Sequence, residues 1–116
     1  MPPIRMIDPA LPLGEEASPP ADRIVAGNPV GHARTDYESP DGRFSAGVWT
    51  CTPGRWQVCY DEEEYCRILS GKGAVIAGDG TFWPIGPGDE FIVPAGFRGE
   101  WLVEETMTKT WVIALP

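Results

Sequence analysis

The sequence predicts an all-β fold, a small antiparallel jelly-roll barrel. Three observations lead there: turn signals recur at strand-length intervals, the runs between them are rich in β-branched and aromatic residues, and no segment keeps a helical period over three turns. Many short strands closed by Gly and Pro turns, with no helices between them, fit a sandwich or closed barrel, and the jelly roll is the better fit of the two.

At 116 residues the chain is the length of one domain, and 42% hydrophobic content with five Trp, four Phe and three Tyr supports a packed core. Six of its thirteen prolines lie in the first twenty residues, where regular ladders form poorly. Residues 1–23 therefore read as a proline-rich arm, extended or laid across a neighbouring subunit, and residues 24–116 as a single barrel domain.

From Ala33 onward the turns are "SPDG" at 39–42, "TPG" at 52–54, "SGKG" at 70–73, "GDG" at 78–80, "GPGD" at 86–89 and "PAG" at 94–96. The intervening runs "FSAGVWTC", "YCRIL", "AVIAG", "TFWPI", "EFIV", "EWLVEET" and "TWVIAL" read as separate strands.

Seventeen acidic residues against nine basic ones give a net charge of −8, which repels nucleic-acid phosphates and anionic lipid surfaces. No apolar run reaches the ~20 residues of a membrane span, and the opening "MPPIRMIDPALPLG" lacks a secretory apolar core, so a cytoplasmic location is expected. Cys51, Cys59 and Cys66 form an odd set without CxxC spacing, which suits reduced, mostly buried thiols better than disulfides or zinc.

Glu64 and Gly71, then Gly88, Pro94 and Gly96, stand at the spacings of the two short motifs of the cupin superfamily, which the chain resembles. The ordered segments "GVWTCTPG", "EYCRILSG", "PGDEFIVPAGFRGEW" and "TKTWVI" are similar to the ureidoglycine aminohydrolase-like cupins, a group that includes cupins tied to ethanolamine utilisation. The resemblance implies a cupin barrel that dimerises. In the ureidoglycine enzyme it implies a manganese-dependent two-cupin protein releasing ammonia from a ureido acid.

Cupin metals usually sit among three His and one Glu, a donor set that suits first-row divalent ions. This chain has one histidine, His32 in "GNPVGHART", ahead of both motifs and expected in a loop or at the surface. Matching the motifs puts Val58, Tyr60 and Gly99 at the three histidine positions, with Glu64 alone retained, so no metal and no other cofactor is expected.

Alternation along a strand supplies the replacement contents. Glu64, Cys66 and Ile68 share one face; Gly99, Trp101 and Val103 share another; Lys109 lies on the side of Trp111 and Ile113. A carboxylate inside an apolar barrel needs a partner, so a Glu64–Lys109 pair is expected, with Tyr60 a second hydrogen-bonding candidate. Loss of the imidazole at Gly99 is expected to open space that Trp101 fills or walls.

Asp61, Glu62 and Glu63 read as a solvated turn and Asp89 as a turn residue, while Trp49, Trp56, Trp83 and Trp111 read mostly as core or interface aromatics.

The expected function is binding of a small polar metabolite by Glu64, Tyr60, Lys109, Trp101, Cys66 and Val58. The same Glu64, Tyr60 and Lys109 are the catalytic candidates if the chain is an enzyme acting on a ureido or amine compound. The third reading is a homodimeric interaction barrel with a packed cavity.

Overall fold

The computed structural model describes all 116 residues, and it is the expected all-β jelly roll with one short 3-10 turn. The strands are β1 (Glu15–Glu16), β2 (Ile24–Gly27), β3 (Gly31–Glu38), β4 (Phe44–Cys51), β5 (Gly54–Cys59), β6 (Glu63–Ala77), β7 (Phe82–Ile85), β8 (Glu90–Val93) and β9 (Arg98–Ala114). All pairings are antiparallel, in a single curled nine-stranded sheet of order β1-β3-β4-β9-β5-β2, with β6 carrying β7 and β8 and also pairing β9.

Two long strands, β6 and β9, run through the whole barrel. Residues 98–103 of β9 lie between β5 and the far half of β6, and residues 107–114 lie between β4 and the near half of β6. "SGKG" is therefore not a turn between two strands. It is an irregular stretch inside β6, with register shifts between Ile68 and Gly73, and likewise "EWLVEET" and "TWVIAL" are one strand.

Inward-facing residues of β6 are the even-numbered Glu64, Cys66 and Ile68 before the irregularity. Beyond it Val75, register partner of Trp101, faces the core, so the parity has switched. A bulge does this because each inserted residue reverses the alternation. Gly71 makes the bend: its φ is +91°, and a Cβ there would stand 2.3 Å from the Thr106 carbonyl oxygen and 2.5 Å from Met107 Cα.

The core between the sheet faces is built on Cys51, Ile68, Val103 and Met107, all at most 1% exposed, with Trp101 at 2%. Cys51 and Cys66 are buried as expected of apolar thiols, whereas Cys59 alternates to the outer face of β5 and is exposed. His32 lies within β3, half-buried and paired in register with Thr50 and Glu16, not in a loop.

The proline-rich arm packs on its own barrel. Ala17 N–H donates to the Gly31 carbonyl at 2.9 Å, Ser18 Oγ accepts from Gly31 N–H at 2.9 Å, and the Arg34 guanidinium donates to the Leu11 and Asp8 carbonyls at 3.1 and 2.6 Å. After the 3-10 turn Ala21–Arg23, the chain enters β2 along the edge of β5.

Gly71→Ala should lower stability by more than about 2 kcal/mol, because the new methyl meets backbone on β9 as well as a disfavoured φ. Gly80 has φ +92° but open space around its absent Cβ, so Gly80→Ala should cost only about 1 kcal/mol. Urea unfolding of the two variants measures the difference, which is the contribution of the close approach.

Candidate functional site

The open end of the barrel holds a cavity of about 440 Å³ whose walls come from five strands, β3 contributing only Ala33. β4 supplies Trp49, β5 supplies Trp56 and Val58 with Tyr60 just beyond its end, β6 supplies Glu64, and β9 supplies Trp101, Lys109 and Trp111. These residues converge because register partners in an antiparallel pair share a face: Trp49 is opposite Lys109, Trp56 opposite Trp101, and Glu64 opposite Ile113.

A closed polar network lies at the cavity floor. Lys109 Nζ donates to Glu64 Oε2 at 3.1 Å, with both side chains 7% exposed. Tyr60 Oη donates to the other carboxylate oxygen, Oε1, at 2.7 Å, and accepts from Trp101 Nε1 at 3.1 Å. The Lys109 ammonium also lies 3.6 Å from Cys66 Sγ, and 4.8 and 4.4 Å from the centres of the Trp49 and Trp101 rings. Ammonium over an indole face is attracted by the ring quadrupole, an effect that grows when water is excluded.

Burial would draw the Lys109 pKa down, but the Glu64 carboxylate and then the neighbouring sulfur outweigh it and hold the pKa above its ordinary 10.5. Burial, reinforced by the negative charge of Glu64, pushes the Tyr60 phenol far above its ordinary value. Burial also pushes the Cys66 thiol up to about 12. Lysine, tyrosine and thiol are thus all protonated at neutral pH, and Lys109 and Tyr60 direct their protons at one carboxylate.

The expected site residues Tyr60, Val58, Glu64, Trp101 and Lys109 all line the cavity. Cys66 does not: it is fully buried in the core, and the Lys109 ammonium beside its sulfur belongs to the cavity floor. Gly99 departs from expectation too. A Cβ there would stand 2.0 Å from the Ile76 carbonyl oxygen, so the backbone of β6, and no imidazole-shaped gap, occupies the space beside this glycine.

Trp49, Trp56 and Trp111, read from sequence mainly as core aromatics, also face the cavity; Trp49 could have been found from Lys109 by alternation once their strands were paired. Glu62 is half-buried at the rim rather than in a fully solvated turn. Pro20 and Arg23 reach the rim from the arm, and Trp49 Nε1 approaches the Ala17 carbonyl at 3.5 Å, contacts that no local sequence signal announces. Asp89 is a turn residue, accepting from Gly86 N–H at 2.8 Å, and Trp83 is exposed on β7, outside the cavity.

The donor set does not fit a metal ion of the cupin type. Val58 and Gly99 bring no donor atom, the Tyr60 phenol is held protonated, and the carboxylate of Glu64 is already engaged on both oxygens, one of them by an ammonium. No group of three or more His, Cys, Asp or Glu side chains is placed so that it could hold a metal ion.

Residues 38–111, more than half of the chain, match the family model of the EutQ-like cupin domain. The chain belongs to this cupin family. Among solved structures, a DUF861-family protein of unknown function from Pseudomonas syringae pv. tomato superposes with TM-score 0.85 at 17% identity, over 93% of this chain and 46% of its own. This cupin therefore spans about half the length of that relative.

The EutQ protein of Clostridium difficile superposes with TM-score 0.67 at 16% identity, over 85% of this chain and 80% of its own. A DUF861-family protein from Thermotoga maritima reaches 26% identity with TM-score 0.55, over 69% of this chain and 97% of its own. No curated protein matches this cupin in sequence. No helix is long and apolar enough to cross a membrane.

Two outcomes follow from the network. Lys109→Met leaves a buried carboxylate without its cation and should cost about 3–5 kcal/mol, whereas Glu64→Gln with Lys109→Met should be more stable than Lys109→Met alone. Urea unfolding of both single variants and the double variant measures the coupling.

Stability should also fall as pH rises above about 9. The unfolded thiol titrates near 9.0 while folded Cys66 holds its proton to about 12, and Tyr60 and Lys109 likewise keep protons that the unfolded chain loses from about 10.0 and 10.5. The folded state therefore binds more protons, and the stabilisation is fully present below pH 9. Urea midpoints measured from pH 7 to pH 12 should show the fall, and Cys66→Ala should flatten its first part.

Proposed function

We propose that this cupin binds a small polar metabolite carrying N–H donors in the barrel mouth, using the Glu64–Lys109 pair where a cupin of the metal-binding kind uses its ion. The observation that carries this reading is an ion pair with both partners 7% exposed, lying at the floor of a cavity of about 440 Å³ lined by four tryptophans. That volume lies in the range of about 300–1,000 Å³ usual for small-molecule sites.

The chemistry of the floor supports a ligand class. Each carboxylate oxygen of Glu64 accepts one internal hydrogen bond and keeps a second lone pair, so the free capacity there is for accepting from N–H or O–H groups. The walls are indoles, which favour a planar group by stacking. The Lys109 ammonium already lies between Trp49 and Trp101, so a neutral planar N–H donor meets no like charge there, whereas a cationic amine does.

Ureido and amide groups meet these requirements best. This agrees with the likeness of the sequence motifs to the ureidoglycine aminohydrolase-like cupins, and it ranks ureido compounds above the amines that the ethanolamine-utilisation relatives suggest.

A catalytic reading of the same residues rests on the 2.7 Å Tyr60–Glu64 hydrogen bond, which links a proton donor to a carboxylate base inside the cavity. It would appear as hydrolysis, with water consumed and ammonia released from a bound ureido compound, and it would be lost in Glu64→Gln.

Tryptophan fluorescence and thermal shift with a panel of small ureides, amides and amines test the binding reading. At least one ureide or amide should quench fluorescence and raise Tm, and Glu64→Gln should abolish both effects. Silence across the panel, or responses unchanged in Glu64→Gln, would contradict it.

A further inference from the structure

Beside the barrel mouth, and sharing Arg23, Gln57, Val58 and Cys59 with its rim, lies a second hollow of about 510 Å³ against β5 and β9. Alternation puts Trp56 and Trp101 inside, so the residues between them, Arg55, Gln57 and Cys59 on β5 and Arg98 and Glu100 on β9, face outward. The register sets Gln57 opposite Glu100 and Cys59 opposite Arg98. Arg23, in the 3-10 turn just before β2, joins this hollow beside the end of β5, beyond Trp56, that β2 does not pair.

Three of the nine basic residues of a chain with net charge −8 therefore meet in one hollow. Its only acidic lining residue, Glu100, is used up by Arg55, whose Nε donates to Oε1 at 2.6 Å. The nearby Asp79 is turned back on its own loop, accepting from Thr81 N–H at 2.9 Å and from Thr81 Oγ1 at 2.7 Å. Arg23 and Arg98 form no ion pair, so two guanidinium groups and the Gln57 amide are left as unanswered donors around the hollow.

We propose that the hollow bounded by Arg23, Gln57 and Arg98 is a binding site for a small divalent oxyanion, the phosphate or dicarboxylate end of a metabolite. Guanidinium forks match the oxygen spacing of such anions and bind them bidentately, and a concave wall with two uncompensated positive charges concentrates anions that the rest of this acidic surface repels. The Arg55–Glu100 pair lies on the same outward face, with Glu100 two residues from Arg98. Arg23 also borders the aromatic cavity, so anion binding here orders the arm at the cavity rim. The site does not depend on Glu64 or Lys109 and stands or falls separately from the reading of the barrel mouth.

The test is thermal unfolding of the full chain with inorganic phosphate and, separately, malonate, each against sodium chloride at matched ionic strength. About 10 mM of the bound anion should raise Tm by roughly 2 °C or more over chloride. The rise should be lost in Arg23→Gln and in Arg98→Gln and kept in Arg67→Gln, an exposed arginine of β6 outside the hollow. A rise with phosphate identifies phosphorylated ligands, and a rise with malonate alone identifies dicarboxylates; either supports the site. No rise with either anion, a rise that survives both Arg23→Gln and Arg98→Gln, or one that Arg67→Gln removes equally would overturn it.

Discussion

A carboxylate and an ammonium 3.1 Å apart, both nearly sealed from water, set the terms for the open end of this barrel. Glu64 cannot stay ionised there alone, and Lys109 cannot stay charged without an anion, so each is the condition for the other. Tyr60 satisfies the second carboxylate oxygen, Trp101 Nε1 donates to Tyr60, and the two indoles flank the ammonium, so the aromatic walls are part of the same electrostatic solution. The result is a fixed, internally compensated cation at the heart of a cupin barrel. A carboxylate that could ligate a metal ion is already answered by the protein itself.

The pair forms only because the two long strands bend together. Glu64 and Lys109 are 45 residues apart in sequence and lie in adjacent strands, β6 and β9, whose register is carried through the irregular stretch around Gly71. The switch of inward parity in β6 lets Glu64 and Cys66 face the same interior as Val75 and Trp101. An uninterrupted strand would turn one of these sets outward.

Much of this was legible from sequence, and the reason differs by residue. Strand alternation puts Lys109 on the side of Trp111, though which side faces inward took the structure to decide, and the need for a partner follows from the cost of a lone carboxylate at Glu64. "SGKG" misleads because a glycine with positive φ serves a hairpin turn and a strand bulge equally well, and only the register of β9 separates them. Gly99 misleads in another way: a missing side chain suggests a vacancy, yet the Ile76 carbonyl of the neighbouring strand occupies that space. The rim residues Pro20 and Arg23 were out of reach, because the course of the proline-rich arm depends on contacts such as Ser18 with Gly31 and Arg34 with Leu11, which have no local pattern. The outward arginines of β5 and β9 were likewise unreadable until the two strands were known to be partners.

The chain has only two lysines, Lys72 exposed and Lys109 buried, which makes the central pair directly observable by nitrogen NMR of the side-chain amines. The Lys109 ammonium should give a resolved signal at neutral pH, slowed in hydrogen exchange and shifted by the Trp49 and Trp101 ring currents. It should keep its proton above the ordinary lysine value of 10.5 and be altered by Glu64→Gln. A Lys109 amine that exchanges as fast as the exposed Lys72 amine, that titrates at or below 10.5, or that is indifferent to Glu64→Gln would contradict the account.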